Sequence, residues 1–540
     1  MWGLLSILVI VSSVSASKQP HIVLMLVDDM GWNDISLHGA DQIPTPHIDA
    51  LGASGVLLHR HYSQPSCTPS RTALLTGKYP IRTGMQGGSL NAGERRGVPL
   101  DVPLLPERLQ ELGYTTRMVG KWHLGYTTSE YMPLHRGFDS HFGYLNGQID
   151  YYTHMTEQKV ENSSEVFIGL DFRRGTVPDW KDEGKYATEL FTEEAEQIIR
   201  QHNKDRPLFL YLSHLACHNG NDSIPLQVPS VRQNTRMFRH ISHPKRQLYA
   251  GIVKALDDSV GKVVKALRDA DMLNDSIIIF LSDNGGMPVP DAFLANTGSN
   301  WPLRGTRGTV FEGGVRSVAA LWSPLIKTPR RLMPQLMHIT DWLPTLYRAA
   351  GGDPSALGLL DGVDQWDQLT GKSTKSARQE VLLNIDEKAK NSAILQGHWK
   401  LVIGTVQGGQ FDGFLSDPGR SKEYPSYDAE EVVKAASNMG IDHDLTQDIV
   451  LQLRRKASIS CEVKKKVNLG TPACPELCLF DVHSDPCEIH NVAKKHPNLV
   501  QQLQTRISYF QTQLVPQTNT PVDPRSNPVY FNNTWQPWLD

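Results

Sequence analysis

The segment His21-Ile-Val-Leu-Met-Leu-Val27-Asp28-Asp29 is an almost continuous apolar run that ends abruptly in two acidic residues. A short run rich in branched side chains is typical of a strand buried on both faces of a parallel sheet. Alternation of such runs with helical patterns predicts an α/β fold with a large mixed, mostly parallel sheet sandwiched by helices. Ligands bind beyond the carboxyl ends of such strands, so we expect the polar groups there to converge. Three further runs lead to polar residues in the same way: Ser276-Ile-Ile-Ile-Phe-Leu281 to Asp283 and Asn284, Pro207-Leu-Phe-Leu-Tyr-Leu212 to His218, and Thr115-Thr-Arg-Met-Val119 to Lys121 and His123.

Two of these strand ends carry the pairs Asp28-Asp29 and Asp283-Asn284. Both pairs offer only oxygen ligands, which suit a hard divalent cation; calcium is the leading choice and magnesium the less favoured alternative. Three neighbouring carboxylates would repel one another without such a cation. A strand-end turn or a helix cap is the common explanation for either pair alone, but two pairs at two strand ends favour a metal site.

The stretch Cys67-Thr-Pro-Ser-Arg71-Thr-Ala-Leu-Leu-Thr-Gly77 predicts a helix with a thiol at its mouth. We expect Thr68 to cap this helix, Pro69 to occupy its first position and Gly77 to end it. The helix dipole and Arg71 favour negative charge at Cys67, so an oxyanion or a sulfate group is a natural ligand there. A buried structural cysteine is the competing interpretation.

The basic residues of the candidate site are Arg71, Lys121, His123, His218 and Arg307. Taken singly, such residues are commonly solvated or satisfied core groups. Several surrounding segments, however, resemble the type I sulfatases: Cys67-x-Pro69-Ser70-Arg71, Leu75-Thr76-Gly77, Gly120-Lys-Trp-His-Leu-Gly125, and Trp301-Pro-Leu-Arg-Gly305 leading to Glu312-Gly-Gly-Val-Arg316. We leave Arg304 and Arg316 unassigned because they could be structural ion-pair partners.

Resemblance to the type I sulfatases implies hydrolysis of sulfate esters on an alkaline-phosphatase-like fold. It implies that the formylglycine-generating enzyme oxidises Cys67 to formylglycine in the endoplasmic reticulum, and that calcium is bound by an oxygen of residue 67 and by Asp28, Asp29, Asp283 and Asn284. Within the family, three segments are most similar to arylsulfatase B-like members, the N-acetylgalactosamine 4-sulfatases: His135-Arg-Gly-Phe-Asp139, Leu226-Gln-Val-Pro229 and Asn300-Trp-Pro-Leu-Arg304.

The mechanism that this resemblance implies uses the hydrated aldehyde of residue 67. One hydroxyl, ionised with help from Asp283, attacks sulfur, and His218 protonates the departing oxygen. Loss of a proton from the second hydroxyl to His123 then expels sulfate. One departure is Arg307, which stands where the family's leaving-group lysine is expected. A guanidinium grips oxyanions but is a poor acid, so proton donation falls to His218.

Two other functions remain open at this stage. A phosphate-ester or phosphonate-ester hydrolase of the same superfamily would use similar chemistry. A non-catalytic binder of sulfated glycans would keep the basic pocket with Cys67 unmodified. The substrate is equally open between a sulfated glycan and a sulfated small molecule.

The N-terminus predicts entry into the secretory route. Residues 1–17 read as a signal peptide with a short apolar core, and no later segment is long enough to cross a bilayer. The formal net charge of −3 gives no whole-chain reason to expect nucleic acid or an anionic membrane as partner. We therefore expect a secreted or lysosomal protein of unknown oligomeric state. Four sequons are candidate glycan sites: Asn162-Ser-Ser, Asn221-Asp-Ser, Asn274-Asp-Ser and Asn532-Asn-Thr.

The length of 540 residues suggests more than one unit. We predict a catalytic domain over residues 18–375 and a smaller antiparallel-sheet domain over residues 376–540, with residues 408–435 as an exposed loop. Four of the six cysteines lie near the C-terminus and predict two disulfides in any of three pairings, with a zinc site as the less favoured alternative. Those cysteines are Cys461, Cys474, Cys478 and Cys487, which leaves Cys67 and Cys217 unpaired.

Overall fold

A computed structural model describes residues 19–221, 223–289, 295–416, 418–461 and 474–540. The predicted signal peptide lies outside these residues. Within them, none of the helices combines the length and the apolar character needed to cross a membrane.

The strands in chain order are β1 His21–Val27, β2 Val56–Leu58, β3 His61–Tyr62, β4 Thr115–Lys121, β5 Ser140–Tyr144, β6 Met155–Lys159, β7 Val166–Leu170, β8 Arg173–Arg174, β9 Val177–Pro178, β10 Leu208–Ser213, β11 Ser276–Ser282, β12 Ala319–Trp322, β13 Arg331–Met333, β14 Met337–His338, β15 Glu380–Asp386, β16 Asn391–Gln396, β17 Trp399–Ile403 and β18 Leu477–Asp481. The helices are α1 Pro46–Ser54, α2 Cys67–Thr76, α3 Leu105–Glu111, α4 Ala187–Gln201, α5 Val231–Met237, α6 Pro244–Asp269, α7 Glu312–Val315, α8 Trp342–Ala349, α9 Trp366–Leu369, α10 Ala429–Met439, α11 Gln447–Ala457 and α12 Pro497–Gln511.

The large sheet has ten strands in the order β13-β2-β12-β11-β1-β10-β4-β5-β8-β9. Its centre, from β11 to β5, is parallel, and antiparallel strands flank it, which confirms the predicted mixed and mostly parallel sheet. In this register Val27 lies opposite Ser282, Leu26 opposite Ser213, and Ser213 opposite Gly120. The central strands therefore end level with one another, and the residues that follow them meet at one edge.

Successive side chains of β1 point to opposite faces of the sheet, and both faces are buried. Val23 and Met25 pack into a core that includes residues of α1, α4 and α6, whereas Ile22 and Leu24 pack into a second core with residues of α2, α3 and α8. Helices thus cover both faces, which explains why this strand is apolar along its whole length rather than in alternation.

A separate antiparallel sheet is formed by β15, β16, β17 and β18 in that order. One face packs on α12, where Leu503, Ile507 and Phe510 are buried with Ile394 and Leu401. Disulfides join Cys461 to Cys487 and Cys474 to Cys478, which is one of the three predicted pairings and leaves no place for the alternative zinc site. Cys67 and Cys217 are free and buried.

The prediction of an exposed loop over residues 408–435 is wrong in its C-terminal part, where α10 begins. Asp428 caps this helix by accepting from the backbone N–H groups of Glu430 and Glu431. Val432, Ala436 and Met439 are buried in the core that also contains α1. Their spacing marks one face of a helix, a signal that the glycine-rich start of the segment concealed.

Candidate active site

Helix α2 begins at Cys67 itself, and Ser66 occupies the cap position. The prediction that Thr68 caps the helix and Pro69 opens it is therefore wrong by two residues. Thr68 instead links two loops, because its hydroxyl donates to the His123 carbonyl at 3.3 Å and accepts from the Leu90 N–H at 3.1 Å. Gly77 ends the helix in the left-handed conformation at φ 66°, as predicted.

The acidic residues at the ends of β1 and β11 form one buried cluster around Cys67. The Cys67 thiol donates to Asp28 Oδ1 at 3.3 Å and lies 3.8 Å from Asp29 Oδ1. The Asn284 amide donates to Asp29 Oδ1 at 2.6 Å, and the Asp29 N–H donates to Asp283 Oδ1 at 3.1 Å. All five side chains are fully buried. The two strand ends that the sequence pattern singles out do converge.

Part of this cluster could hold a metal ion. Ligand atoms of Asp28, Asp29, Cys67 and His218 all lie within 4.8 Å of one another. Asn284 Oδ1 is buried and has no hydrogen-bond partner within the described residues. Burial and then the charge of Asp28 raise the pKa of Asp283 to about 7, so the neighbouring carboxylates are not fully compensated. An oxygen-binding cation would supply the missing charge.

Three buried cations surround the carboxylates. Lys121 Nζ lies 2.5 Å from Asp28 Oδ2, and Arg71 Nη2 lies 2.9 Å from Asp283 Oδ2. Arg307 Nη1 lies 3.0 Å from Asp29 Oδ2, while its Nη2 donates to Cys67 Sγ at 3.3 Å. Burial alone would raise the pKa of Asp28, but Lys121 and other cations hold it well below its usual range. Cations and carboxylates therefore alternate around Cys67, and Arg307 is the cation that contacts Sγ.

His218 approaches Oδ2 of the Asp29 carboxylate, whereas Asn284 donates to Oδ1. Its Nδ1–H donates to the Asn219 carbonyl at 2.7 Å, so Nε2 faces the cluster, 3.6 Å from Asp29 Oδ2 and 3.4 Å from Arg307 Nη1. Burial lowers the pKa of His218 below its usual value, although Asp29 opposes that effect. A proton held at Nε2 would point at a group bound beside Cys67.

His123 follows β4, and its ring lies close enough to Lys121, Arg71 and Asp28 to be affected by their charges. Its Nε2–H donates to the Leu90 carbonyl at 2.9 Å, which leaves the buried Nδ1 without a hydrogen-bond partner among the described residues. Burial lowers the pKa of this imidazole well below its usual value. His123 and Asp29 both adopt left-handed backbone conformations, at φ 57° and 56°. Conformations of this kind cost energy in residues other than glycine and occur frequently in active sites.

Two contributors were missed by sequence reasoning. Ser213, the last residue of β10, accepts from Arg71 Nη1 at 2.5 Å, and the rule that strand ends carry the site could have found it. Asn296 holds the carbonyl of Asp29 through its amide at 2.7 Å, and no sequence signal marks this loop residue. The unassigned Arg304 lies outside the cluster and donates to the carbonyls of Asp412 and Glu488.

The segment that carries Arg307 is tied to the small sheet through a buried ion cluster. Lys400 of β17 lies 2.9 Å from Glu312 Oε1 and 2.8 Å from Glu488 Oε1. Glu312 also contacts Arg316 at 3.4 Å, so Arg316 is a structural ion-pair partner. Through these contacts the small sheet helps to hold residues 304–316 in place.

A family model described as "Sulfatase" matches residues 20–352. This match covers the large sheet and every residue of the cluster described above. The chain belongs to the sulfatase family.

Relatives agree with this assignment. The chain is similar to arylsulfatase J of Mus musculus, with 36% identity over 98% of this chain and 81% of the relative. It is also similar to N-acetylgalactosamine-6-sulfatase of Rattus norvegicus, with 34% identity over 65% of this chain and 66% of the relative. The fold is similar to the crystal structure of Ps i-CgsB, with a TM-score of 0.69, 24% identity and coverage of 93% and 94% of the two chains. The protein is therefore a sulfuric ester hydrolase. Members of the sulfatase family generally use a metal ion and a formylglycine residue.

Proposed function

We propose that this sulfatase cleaves sulfate esters to an alcohol and inorganic sulfate with residue 67, converted from cysteine to formylglycine, as the nucleophile and one calcium ion as cofactor. The observation that carries the proposal is the position of Cys67 Sγ, which lies 3.3 Å from both Asp28 Oδ1 and Arg307 Nη2. A nucleophile at this point is within reach of the metal-binding carboxylates and of a cation that can hold a sulfate oxygen.

Asp28, Asp29, Asp283 and Asn284 are the residues that we expect to hold the cation. Calcium is preferred because it accepts a crowded, irregular set of oxygen ligands, whereas magnesium demands near-ideal octahedral geometry. The attacking hydroxyl would come from the hydrated aldehyde of residue 67, and a cation held by these residues would supply stabilisation of its negative charge. Asp283 helps to remove the proton from that hydroxyl.

The basic residues bind the sulfate group and move protons. Arg71, Lys121 and Arg307 are buried around the cluster and can stabilise the charge that develops on the sulfuryl oxygens. His218 is our candidate to protonate the leaving oxygen from Nε2; because Nδ1–H is already donated to the Asn219 carbonyl and burial lowers the pKa, this role requires the imidazole to gain a second proton in the complex with substrate. His123, whose Nδ1 has no partner among the described residues, is our candidate to accept a proton in the step that releases sulfate. Arg307 binds but does not donate, because its guanidinium stays charged.

Within the family we propose an arylsulfatase B-like enzyme that acts on a sulfated glycan or a sulfated small molecule. Passage through the secretory pathway, to the outside of the cell or to the lysosome, is supported by the two disulfides and by three sequon asparagines that are exposed, namely Asn162, Asn274 and Asn532. The fourth, Asn221, is buried and donates to the Met155 carbonyl, so we do not propose a glycan there. The proposed domains remain residues 18–375 and 376–540.

The test combines mass spectrometry of the peptide that contains residue 67, from protein made in a eukaryotic secretory host, with turnover of 4-nitrocatechol sulfate and 4-nitrophenyl phosphate. Formylglycine together with faster turnover of the sulfate ester supports the proposal. An intact thiol, in a host that modifies another sulfatase made in parallel, contradicts the formylglycine mechanism. Faster turnover of the phosphate ester favours a phosphatase, and modified protein that binds but cleaves neither ester favours a glycan-binding protein.

A further inference from the structure

The segment from His218 to α6 is strongly basic. Between Asp222 and Asp257 the sequence contains no acidic residue, although the whole chain has a net charge of −3. The same stretch carries six lysines and arginines: Arg232, Arg236, Arg239, Lys245, Arg246 and Lys254. Positive charge of this density, confined to one segment, indicates an anionic partner rather than general solubility.

Three of these arginines lie on the surface without a partner. Arg232, Arg236 and Arg239 are exposed, and no hydrogen bond or ion pair engages their guanidinium groups among the described residues. Arg232 and Arg236 are one helical turn apart on α5, so they share one face of that helix. An exposed guanidinium that is not engaged by an acid can bind an external anion through its fork of N–H donors.

Arg236 and Arg239 line a cleft of about 570 Å³. The cleft also contains Met237, His240 and Tyr424, with the His240 and Tyr424 rings in edge contact at 5.6 Å between centroids. Glu423 is the single acidic residue of this lining. Two guanidinium groups beside an apolar and aromatic wall suit a ring that carries an acidic substituent, because arginine grips oxyanions in a fork.

Hydrogen bonds hold together the base of the cleft. Asn234 is buried and donates to the Gln247 carbonyl, which fixes α5 against α6. The buried Gln42 accepts from His240 Nε2–H at 2.9 Å through its carbonyl and donates to the Tyr424 hydroxyl at 3.1 Å. The two arginines therefore project from a hydrogen-bonded base.

A short chain of contacts connects the cleft to the active site. Gln42 Oε1 accepts from Arg246 Nε at 2.7 Å, and Arg246 Nη1 lies 2.8 Å from Asp34 and donates to the Thr297 carbonyl at 2.9 Å. The preceding residue, Asn296, holds the carbonyl of Asp29. The cleft thus adjoins the loops at the carboxyl ends of β1, β10 and β11, on the edge of the sheet that carries Cys67.

We propose that the cleft lined by Arg236 and Arg239 is a second anion-binding subsite, which holds an acidic sugar unit of an oligosaccharide whose sulfate ester lies at residue 67. The inference rests on the proposed function and specifies it further: the substrate is a polyanionic saccharide with at least two acidic groups. The subsite contributes to binding and to the capture of substrate, while the chemistry stays with the Cys67 cluster.

The test compares Arg236→Glu/Arg239→Glu with the wild type on two substrates, a chondroitin sulfate hexasaccharide and 4-nitrocatechol sulfate. Charge reversal should lower kcat/KM for the hexasaccharide by about 10-fold or more at low ionic strength, with a smaller effect at high salt. Turnover of the small ester should stay unchanged. Lys494→Glu/Lys495→Glu is the matched control, because it makes the same charge change on two exposed lysines beside the small sheet. Arg236→Ala/Arg239→Ala repeats the test if charge reversal lowers the yield of folded protein.

Equal hexasaccharide turnover in the wild type and in the cleft variant overturns the proposal, as does an equal loss on both substrates or an equal loss in the control. Direct titration of wild-type protein with the hexasaccharide separates this inference from the proposed function. Binding that is lost in the cleft variant supports the subsite even if no sulfate is released, whereas absence of binding contradicts it. A chemically desulfated hexasaccharide shows whether the bound groups are sulfates or carboxylates.

Discussion

Replacement of Arg307 tests how this sulfatase handles its leaving group. The guanidinium is 8% exposed and contacts Asp29 at 3.0 Å, Cys67 Sγ at 3.3 Å and His218 Nε2 at 3.4 Å. Arg307→Ala removes a preorganised cation from the sulfate site, which typically costs about 3–4 kcal/mol of transition-state stabilisation. We therefore expect kcat/KM to fall by about 10²–10³-fold.

Arg307→Lys separates charge from geometry. The lysine ammonium keeps the charge but lacks the two-pronged guanidinium that contacts Asp29 and residue 67 at once. Loss of one charge-assisted hydrogen bond corresponds to about 2 kcal/mol, or roughly 30-fold in rate. Unlike arginine, lysine can donate a proton. The loss should therefore be smaller for alcohols that leave poorly, which need protonation, than for those that leave well.

The assay is kcat and KM for a series of aryl sulfates with leaving-group pKa values from about 7 to 10, for the wild type, both Arg307 variants and His218→Gln. Introduced alone, His218→Gln should steepen the dependence of kcat on the pKa of the leaving group. Introduced together with Arg307→Lys, it should steepen this dependence less. A parallel dependence in the wild type and in Arg307→Lys refutes the idea that lysine takes over protonation. Full activity of Arg307→Ala refutes a role for this residue in binding sulfate.

Further predictions concern the metal, the buried ions and the glycans. Chelation with EGTA should abolish turnover and lower Tm, and calcium should restore both more fully than magnesium; activity in protein shown to be metal-free by elemental analysis contradicts the metal assignment. Lys400→Met leaves Glu312 and Glu488 without their shared cation and should lower the free energy of unfolding by about 3–5 kcal/mol at pH 7.5, whereas the exposed Lys434→Met is the control with little effect. Burial and Glu312 raise the pKa of Glu488 from 4.5 to about 7, so the native state binds an extra proton between these pH values and its stability falls as the pH rises through them. Denaturant titrations should therefore show that Lys400→Met lowers the free energy of unfolding less at pH 5 than at pH 7.5. An equal decrease at both pH values would exclude this coupling. Mass spectrometry should find no glycan on the buried Asn221, and a glycan there contradicts the structure; loss of one glycan each is expected for Asn162→Gln, Asn274→Gln and Asn532→Gln.

Much of the site could be predicted because its residues follow strands with strong patterns. The runs before Asp28 and Asp283 are almost entirely apolar, the run before Lys121 is mixed, and a parallel sheet must bring the carboxyl ends of all three strands to one edge. His218 follows β10 after a longer loop, yet it also reaches the cluster, at 3.6 Å from Asp29. The expectation that site residues follow the carboxyl ends of parallel strands therefore holds even where a loop separates the residue from its strand.

The features that sequence reasoning missed depend on contacts between residues that are distant in sequence. Thr68 does not cap α2: it lies inside the helix, and its hydroxyl contacts the backbones of Leu90 and His123, which are distant in sequence. Asn296 reaches Asp29 from a loop that has no periodic pattern. The pairing of Cys461 with Cys487 spans 26 residues, and sequence spacing alone could not select it from three alternatives.

The burial of helix α2 sets an order of events in time. Every residue of this helix is buried, and Cys67 is completely inaccessible to another protein once the chain has folded. Any enzyme that oxidises Cys67 must therefore act on the nascent or unfolded chain. Because the surrounding strands are distant in sequence, their pairing is intrinsically slow, and this delay would provide the interval for the proposed modification. A variant that folds faster would then be less active without any loss of stability, since a larger fraction of its molecules would close around an unmodified thiol.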